Sequence, residues 1–168
     1  MPTDDNRVPM PTNDADPPVV SIASRPDGRG FRIHIRNASA AAIFATPPHP
    51  AKNVWLSQDG KGLFREAYPL IWDYQSPQKV AAGSELVADV SLISYWTELL
   101  GCFEVGCRLS FSRTEHGEES TCEATGEVDL RLPSRAELRV EAKEYLQTMK
   151  GKPIPDRPTV RIVEPESE

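Results

Sequence analysis

No run of about 18 consecutive apolar residues occurs in this 168-residue chain, so it carries no transmembrane helix signal. Base is not in surplus either: 19 Lys and Arg stand against 25 Asp and Glu, a formal charge of −6. A general nucleic-acid binder needs a basic stripe to neutralise phosphates, and adsorption to anionic lipid needs a basic patch. The expectation is therefore no nucleic-acid partner and no membrane. The opening MPTDDNRVPMPTNDADPP has neither the basic head nor the apolar core of a secretory signal, which makes the cytoplasm the expected compartment. Asn37-Ala38-Ser39 matches a glycosylation acceptor, but that chemistry needs a secretory route, so the match is read as chance.

Recognisable reactive motifs are missing as well. The chain holds no G-x-S-x-G elbow, no G-x-x-x-x-G-K-[ST] phosphate loop, no G-x-G-x-x-G and no H-E-x-x-H. Its three cysteines, Cys102, Cys107 and Cys122, form C-x4-C-x14-C without a C-x2-C knuckle. His34, His49 and His116 show no ligand-like spacing to them. No catalytic residue, metal or cofactor is assigned, and the expectation is a non-enzymatic protein.

What the chain does have is alternation. Both ends are proline-rich and acidic, with little to bury: residues 1–18 and 151–168 read as flexible tails around a folded part at 19–150. Within that part, FRIHIRN puts Phe31, Ile33 and Ile35 on one face and Arg32, His34 and Arg36 on the other. NVWLSQDGKGLFREA reads as two strands around a turn at Asp59-Gly60-Lys61-Gly62. YPLIWDYQS reads as another strand, and ELVADVSL alternates after the turn-like Ala82-Gly83-Ser84. Short strands with turn chemistry between them predict a mainly β, antiparallel β-sandwich. One segment departs: Ser134 and Glu137 form a capping box, and Gly151 with Pro153 would stop a helix spanning about 134–150. Leu138, Ala142, Tyr145, Leu146 and Met149 share its apolar face. Ala136, Leu138, Val140 and Ala142 also alternate with charges, so a strand is the competing reading, against which the caps and the composition favour helix. That face either closes the sandwich or docks a partner. The helix has no opposite charges at i,i+3 or i,i+4 to support it locally.

GCFEVGCRLSF, residues 101–111, sets Phe103, Val105, Cys107, Leu109 and Phe111 on one parity. Cys102 and Cys107 then point to opposite faces about 16 Å apart, at ~3.3 Å per residue. A disulfide needs Cα atoms within about 7 Å, so these two do not pair. A hairpin tip at His116-Gly117 would set Phe111 opposite Cys122, Leu109 opposite Ala124, and Cys107 opposite Gly126. A turn two residues earlier would instead bring Cys107 to face Cys122, with a disulfide possible.

Aromatic residues supply the candidate surface. Trp55 is expected in the core. Trp72, Asp73, Tyr74, Tyr95 and Trp96 sit at strand-to-loop transitions and are the candidate partner-binding residues. Over about residues 30–112, the strand ending in Asn37, then LSQDGKGLF, VAAGSELVADVSL and GCFEVGCRLSF follow one scheme. It resembles the immunoglobulin-like bacterial domains that include intracellular proteinase inhibitors and the β-sandwich segments beside deuterolysin-type proteases. Two positions depart from it: Ala82-Gly83 stands where the scheme has Pro-Gly, and Phe103 where it has Tyr. The resemblance implies an immunoglobulin-like fold and a protein partner, with neutralisation of an enzyme or toxin as the concrete form. An acidic inhibitor would associate faster with a basic target. A carbohydrate- or small-ligand-binding sandwich using the same aromatics is the alternative. So is a structural subunit, and homo-oligomers are compatible with each.

Overall fold

The computed structural model describes residues 16–65, 76–153 and 160–165. Its elements run β1 (Val19–Ser24), β2 (Gly30–Arg36), β3 (Ile43–Thr46), α1 (Pro50–Asn53), β4 (Val54–Gln58) and β5 (Lys61–Leu63). They continue as β6 (Gln78–Val80), β7 (Glu85–Ser91), β8 (Leu100–Ser112), β9 (Ser120–Arg131), α2 (Arg135–Thr148) and β10 (Val160–Val163). The protein is mainly β, with two antiparallel sheets and a C-terminal helix.

One sheet has the order β1-β2-β7-β10. The other is organised by β8: β9 pairs along one edge, while β4 and β3 pair successively along the other. Next, β5 extends the sheet beyond β4 and β6 beyond β3. Alternation decides which side chains meet between the sheets. Phe31, Ile33 and Ile35 of β2 and Leu86, Ala88 and Val90 of β7 meet Phe103, Val105, Cys107 and Leu109 of β8 in one buried cluster. Burying each large aliphatic or aromatic side chain contributes about 1.5–3 kcal/mol, which is how period-two patterning becomes a fold.

Turn chemistry sets the joints. Asp59 and Gly60 have φ of 51° and 75°, so a two-residue turn joins β4 to β5. Gly83, φ 76°, lies where the chain enters β7; its N–H donates to Asn37 O at 2.9 Å. Asn37 is only 1% exposed, yet its amide is satisfied. Nδ2 donates to the carbonyls of Ala41 (2.8 Å) and Val80 (3.0 Å), while Oδ1 accepts from Ser39 N (3.0 Å) and Ser39 Oγ (2.6 Å). This one side chain ties the end of β2 to the next loop and to β6.

The β8–β9 hairpin corrects the expected register. Leu109 opposes Cys122, Cys107 opposes Ala124 and Phe111 opposes Ser120, a shift of two residues from the tip placed at His116-Gly117. The cause is the turn: Gly117 N–H donates to Thr114 O at 3.1 Å, so the reversal spans 114–117 with glycine at its last position. A two-residue shift preserves parity, so every inward side chain stays inward. All three cysteines are free: Cys107 buried, Cys122 half-buried and Cys102 exposed. Cys107 and Cys122 are diagonal neighbours, not opposite ones, and diagonal neighbours lie beyond disulfide reach.

Two further expectations change. Residues 160–163, read as part of a C-terminal tail, form β10 on the edge of β7, with Val160 opposite Ala88. The capping box of α2 is present: Glu137 N–H donates to Ser134 Oγ at 3.1 Å, and Ser134 N–H to a Glu137 carboxylate oxygen at 2.7 Å. Yet α2 does not close the sandwich, for none of its residues is buried. A two-pronged ion pair anchors it instead, Arg29 Nη1 and Nη2 donating to Glu141 at 2.7 and 2.6 Å. That pair raises Arg29 and lowers Glu141 from their ordinary pKa ranges, chiefly through its hydrogen bonds.

Candidate functional site

The outer face of the larger sheet carries the best-formed surface feature. Val54 and Leu56 of β4 point into the core, so Trp55 between them must point out, and it is 39% exposed. This corrects the expectation that Trp55 fills the core. Its cross-strand partner is Gly106 of β8, and the Nε1–Cε2–Cζ2 side of the indole fills the space over that glycine. A methyl group at 106 would collide with Nε1, Cε2 and Cζ2 of the ring. Gly106 is thus a seat, and the ring covers the strand backbone that glycine leaves open. The ring is thereby held part-exposed at the sheet surface.

Around this ring the pairing register builds ranks across the strands. Trp55, Gly106 and Thr125 form one rank; Ser57, Glu104 and Glu127 form the next. Cys102 and Asp129 follow. Glu104 directly opposes Glu127, and both are exposed. Ser57 Oγ donates to Glu104 at 3.3 Å, but among the described residues neither glutamate nor Asp129 is in an ion pair. On the far side of Trp55, Arg108 and Glu123 do pair, at 2.6 Å. The Cys102 thiol is raised above its ordinary pKa, first by desolvation and then by the charges of Glu127 and Asp129. Burial pushes the inward Cys107 up to about 12, so that thiol stays protonated and inert.

The candidates named from sequence fare differently. Trp72, Asp73 and Tyr74 lie outside the described residues. Trp96 is 3% exposed and belongs to the core cluster, which corrects its assignment to a partner surface. It follows β7 in a turn where Leu92 O accepts from the N–H groups of Tyr95 and Trp96, and this winding carries the ring inward. Tyr95 is half-buried, edge-on to His49 at 6.2 Å and to Trp96 at 6.5 Å. It borders a crevice of about 250 Å³ with Pro47, Pro48 and His49. His34, read as facing outward between two arginines, does so, with Nδ1 2.7 Å from a Glu85 carboxylate oxygen. Neighbouring Arg32 pairs with Asp89 at 2.7 Å, which lowers Asp89 below the ordinary carboxylate range, chiefly by the hydrogen bond.

Trp55 was nevertheless legible. In NVWLSQ it is flanked by two aliphatic residues of opposite parity, and Gly106 is the one residue without a side chain between Cys102 and Phe111. Among the described residues, no group of three or more His, Cys, Asp and Glu is arranged to hold a metal, and no helix is long and apolar enough to cross a membrane. No protein-family model, curated protein or solved structure matches the chain.

Proposed function

We propose that this chain is a non-enzymatic protein-binding domain built on an immunoglobulin-like sandwich, acting as an inhibitor or immunity protein that neutralises an enzyme or toxin. Strand order supports the fold part of this reading. The runs β1-β2-β7 and β9-β8-β4 follow the A-B-E and G-F-C orders of immunoglobulin domains, with β10 in the place beside β7 that strand D takes there.

The observation that carries the functional part is Trp55, a large ring left 39% exposed on a sheet face and seated on a glycine. Tryptophan is the side chain most enriched among residues that dominate protein interfaces, and a pre-positioned ring loses little entropy on binding. The test is capture of binding proteins by the immobilised wild-type chain and by Trp55→Ala, with thermal melts showing that both are folded. A protein retained by the wild type and lost from Trp55→Ala supports the reading; retention that ignores Trp55 overturns it. A part-exposed indole also suits a sugar, so fluorescence titration with oligosaccharides belongs beside the capture. Saturable, Trp55-dependent quenching would favour a carbohydrate-binding domain instead.

A further inference from the structure

The two outer faces of the protein treat charge differently. On the β1-β2-β7-β10 sheet, the acids of β7 have partners within the chain: Asp89 with Arg32, and Glu85 against His34, each at 2.7 Å. On the larger sheet, Arg108 is matched with Glu123, but Glu104 faces Glu127 directly, with Asp129 two residues along β9 on the same face. Like charges directly opposite one another on a sheet are destabilising. Acids at a surface are commonly just solvated, and that would suffice if the face carried nothing else. It does carry something else: the exposed indole of Trp55 begins one rank away, about 7 Å along the strands at ~3.3–3.4 Å per residue. An arginine or lysine side chain spans that distance. The face of an indole attracts cations through its quadrupole, and the flanking carboxylates add to the same field.

We infer that this face takes a cationic protein segment, with an arginine or lysine lying over the Trp55 ring and its charge shared between Glu104 and Glu127. The inference rests on the protein-binding reading above and names the chemistry of its partner. Among the described residues Arg131 lies on the same face but pairs with neither glutamate, so the bound cation supplies the counter-charge that Glu104 and Glu127 lack and relieves the repulsion between them.

Octa-arginine is the probe. Its binding to the full chain is followed by titration calorimetry for the wild type, Trp55→Ala and the double variant Glu104→Gln/Glu127→Gln. Both variants should bind about tenfold or more weakly than the wild type. Wild-type affinity should fall as ionic strength rises from about 10 mM to about 150 mM, where the screening length drops from about 30 Å to about 8 Å. The double variant should also melt no lower than the wild type, since its substitutions remove a like-charge contact; this keeps the test valid if Trp55→Ala alone is unstable. Equal octa-arginine binding by all three proteins would mean diffuse attraction to net negative charge and would overturn the inference, as would no binding at all. A captured protein that needs Trp55 but is indifferent to Glu104→Gln/Glu127→Gln would sink this inference alone, leaving the protein-binding reading intact.

Discussion

Replacing Asn37 by Asp removes two donated hydrogen bonds while leaving the shape of the side chain almost unchanged. In the native protein Nδ2 donates to the carbonyls of Ala41 and Val80, and Oδ1 accepts from the Ser39 N–H and hydroxyl. The position is 1% exposed, so water does not replace what is lost. Aspartate keeps the acceptor side but turns an oxygen towards two carbonyl oxygens. Ala41 O lies within reach of the single Ser39 hydroxyl proton, which it shares with the oxygen of residue 37, whereas Val80 O loses its side-chain donor. Leaving a buried polar group unmade costs about 1–3 kcal/mol, and an anion in that pocket costs more. The expected loss is about 3–5 kcal/mol near neutral pH, a large share of the roughly 5–15 kcal/mol that holds a typical domain. Urea unfolding should show this as a lower midpoint with an unchanged slope. The pH dependence supplies a second signature. Burial among carbonyls raises the folded pKa of the new carboxyl above its unfolded value. Its penalty is therefore fully present above the folded pKa and shrinks as pH falls through it, because protonation restores one donor. A loss below about 1 kcal/mol, identical at pH 5 and pH 8, would refute the reasoning that Asn37 acts by donating into buried backbone.

Three further outcomes are expected. Alkylation of the native protein should label Cys102 first and Cys107 last, and after unfolding all three thiols should react with or without reductant; one reactive thiol would reveal a Cys107–Cys122 disulfide and a different hairpin register. Gly106→Ala should lift the Trp55 ring from its seat and reduce partner capture as much as Trp55→Ala does, with a near-native melting temperature; undiminished capture would show that the ring's posture is irrelevant. Asp89, held low by Arg32, gives stability that is present above its unfolded pKa and lost as pH falls through its lower folded pKa. Asp89→Asn should therefore flatten the acid limb of the stability curve, and identical acid limbs in the two proteins would show that the Arg32 pair contributes nothing.

Local rules carried much of the fold. Strand parity placed Phe31, Ile33 and Ile35 and the β8 residues correctly, Asp59-Gly60 gave its hairpin, and Ser134 with Glu137 started α2. Rules of this kind need only neighbours in sequence. The register of β8 on β9 depended on which residue of a longer loop ends the turn, and parity is blind to a shift of two. β10 is hidden in the sequence because the alternation of Val160 and Ile162 spans four residues beside a proline-rich stretch, and the edge of β7 that accepts it is some 70 residues away in the chain. The partner of Glu141 is likewise distant: nothing in the helix pointed to Arg29 beyond the lack of local opposite charges. For the site, size misled. Large aromatics usually fill cores, an expectation that puts Trp55 inside and leaves Trp96 evenly balanced between core and surface, whereas alternation in NVWLSQ puts Trp55 outside and the turn after Leu92 carries Trp96 inside.

The central claim is that a basic protein docks over Trp55 between Glu104 and Glu127. Its most direct measurement is competition: a protein captured by the immobilised wild-type chain is challenged with octa-arginine, beside octa-glutamate as control. The account predicts release by octa-arginine alone, at lower concentrations as ionic strength falls. A captured protein that stays bound at saturating octa-arginine, and binds Trp55→Ala equally well, would contradict it.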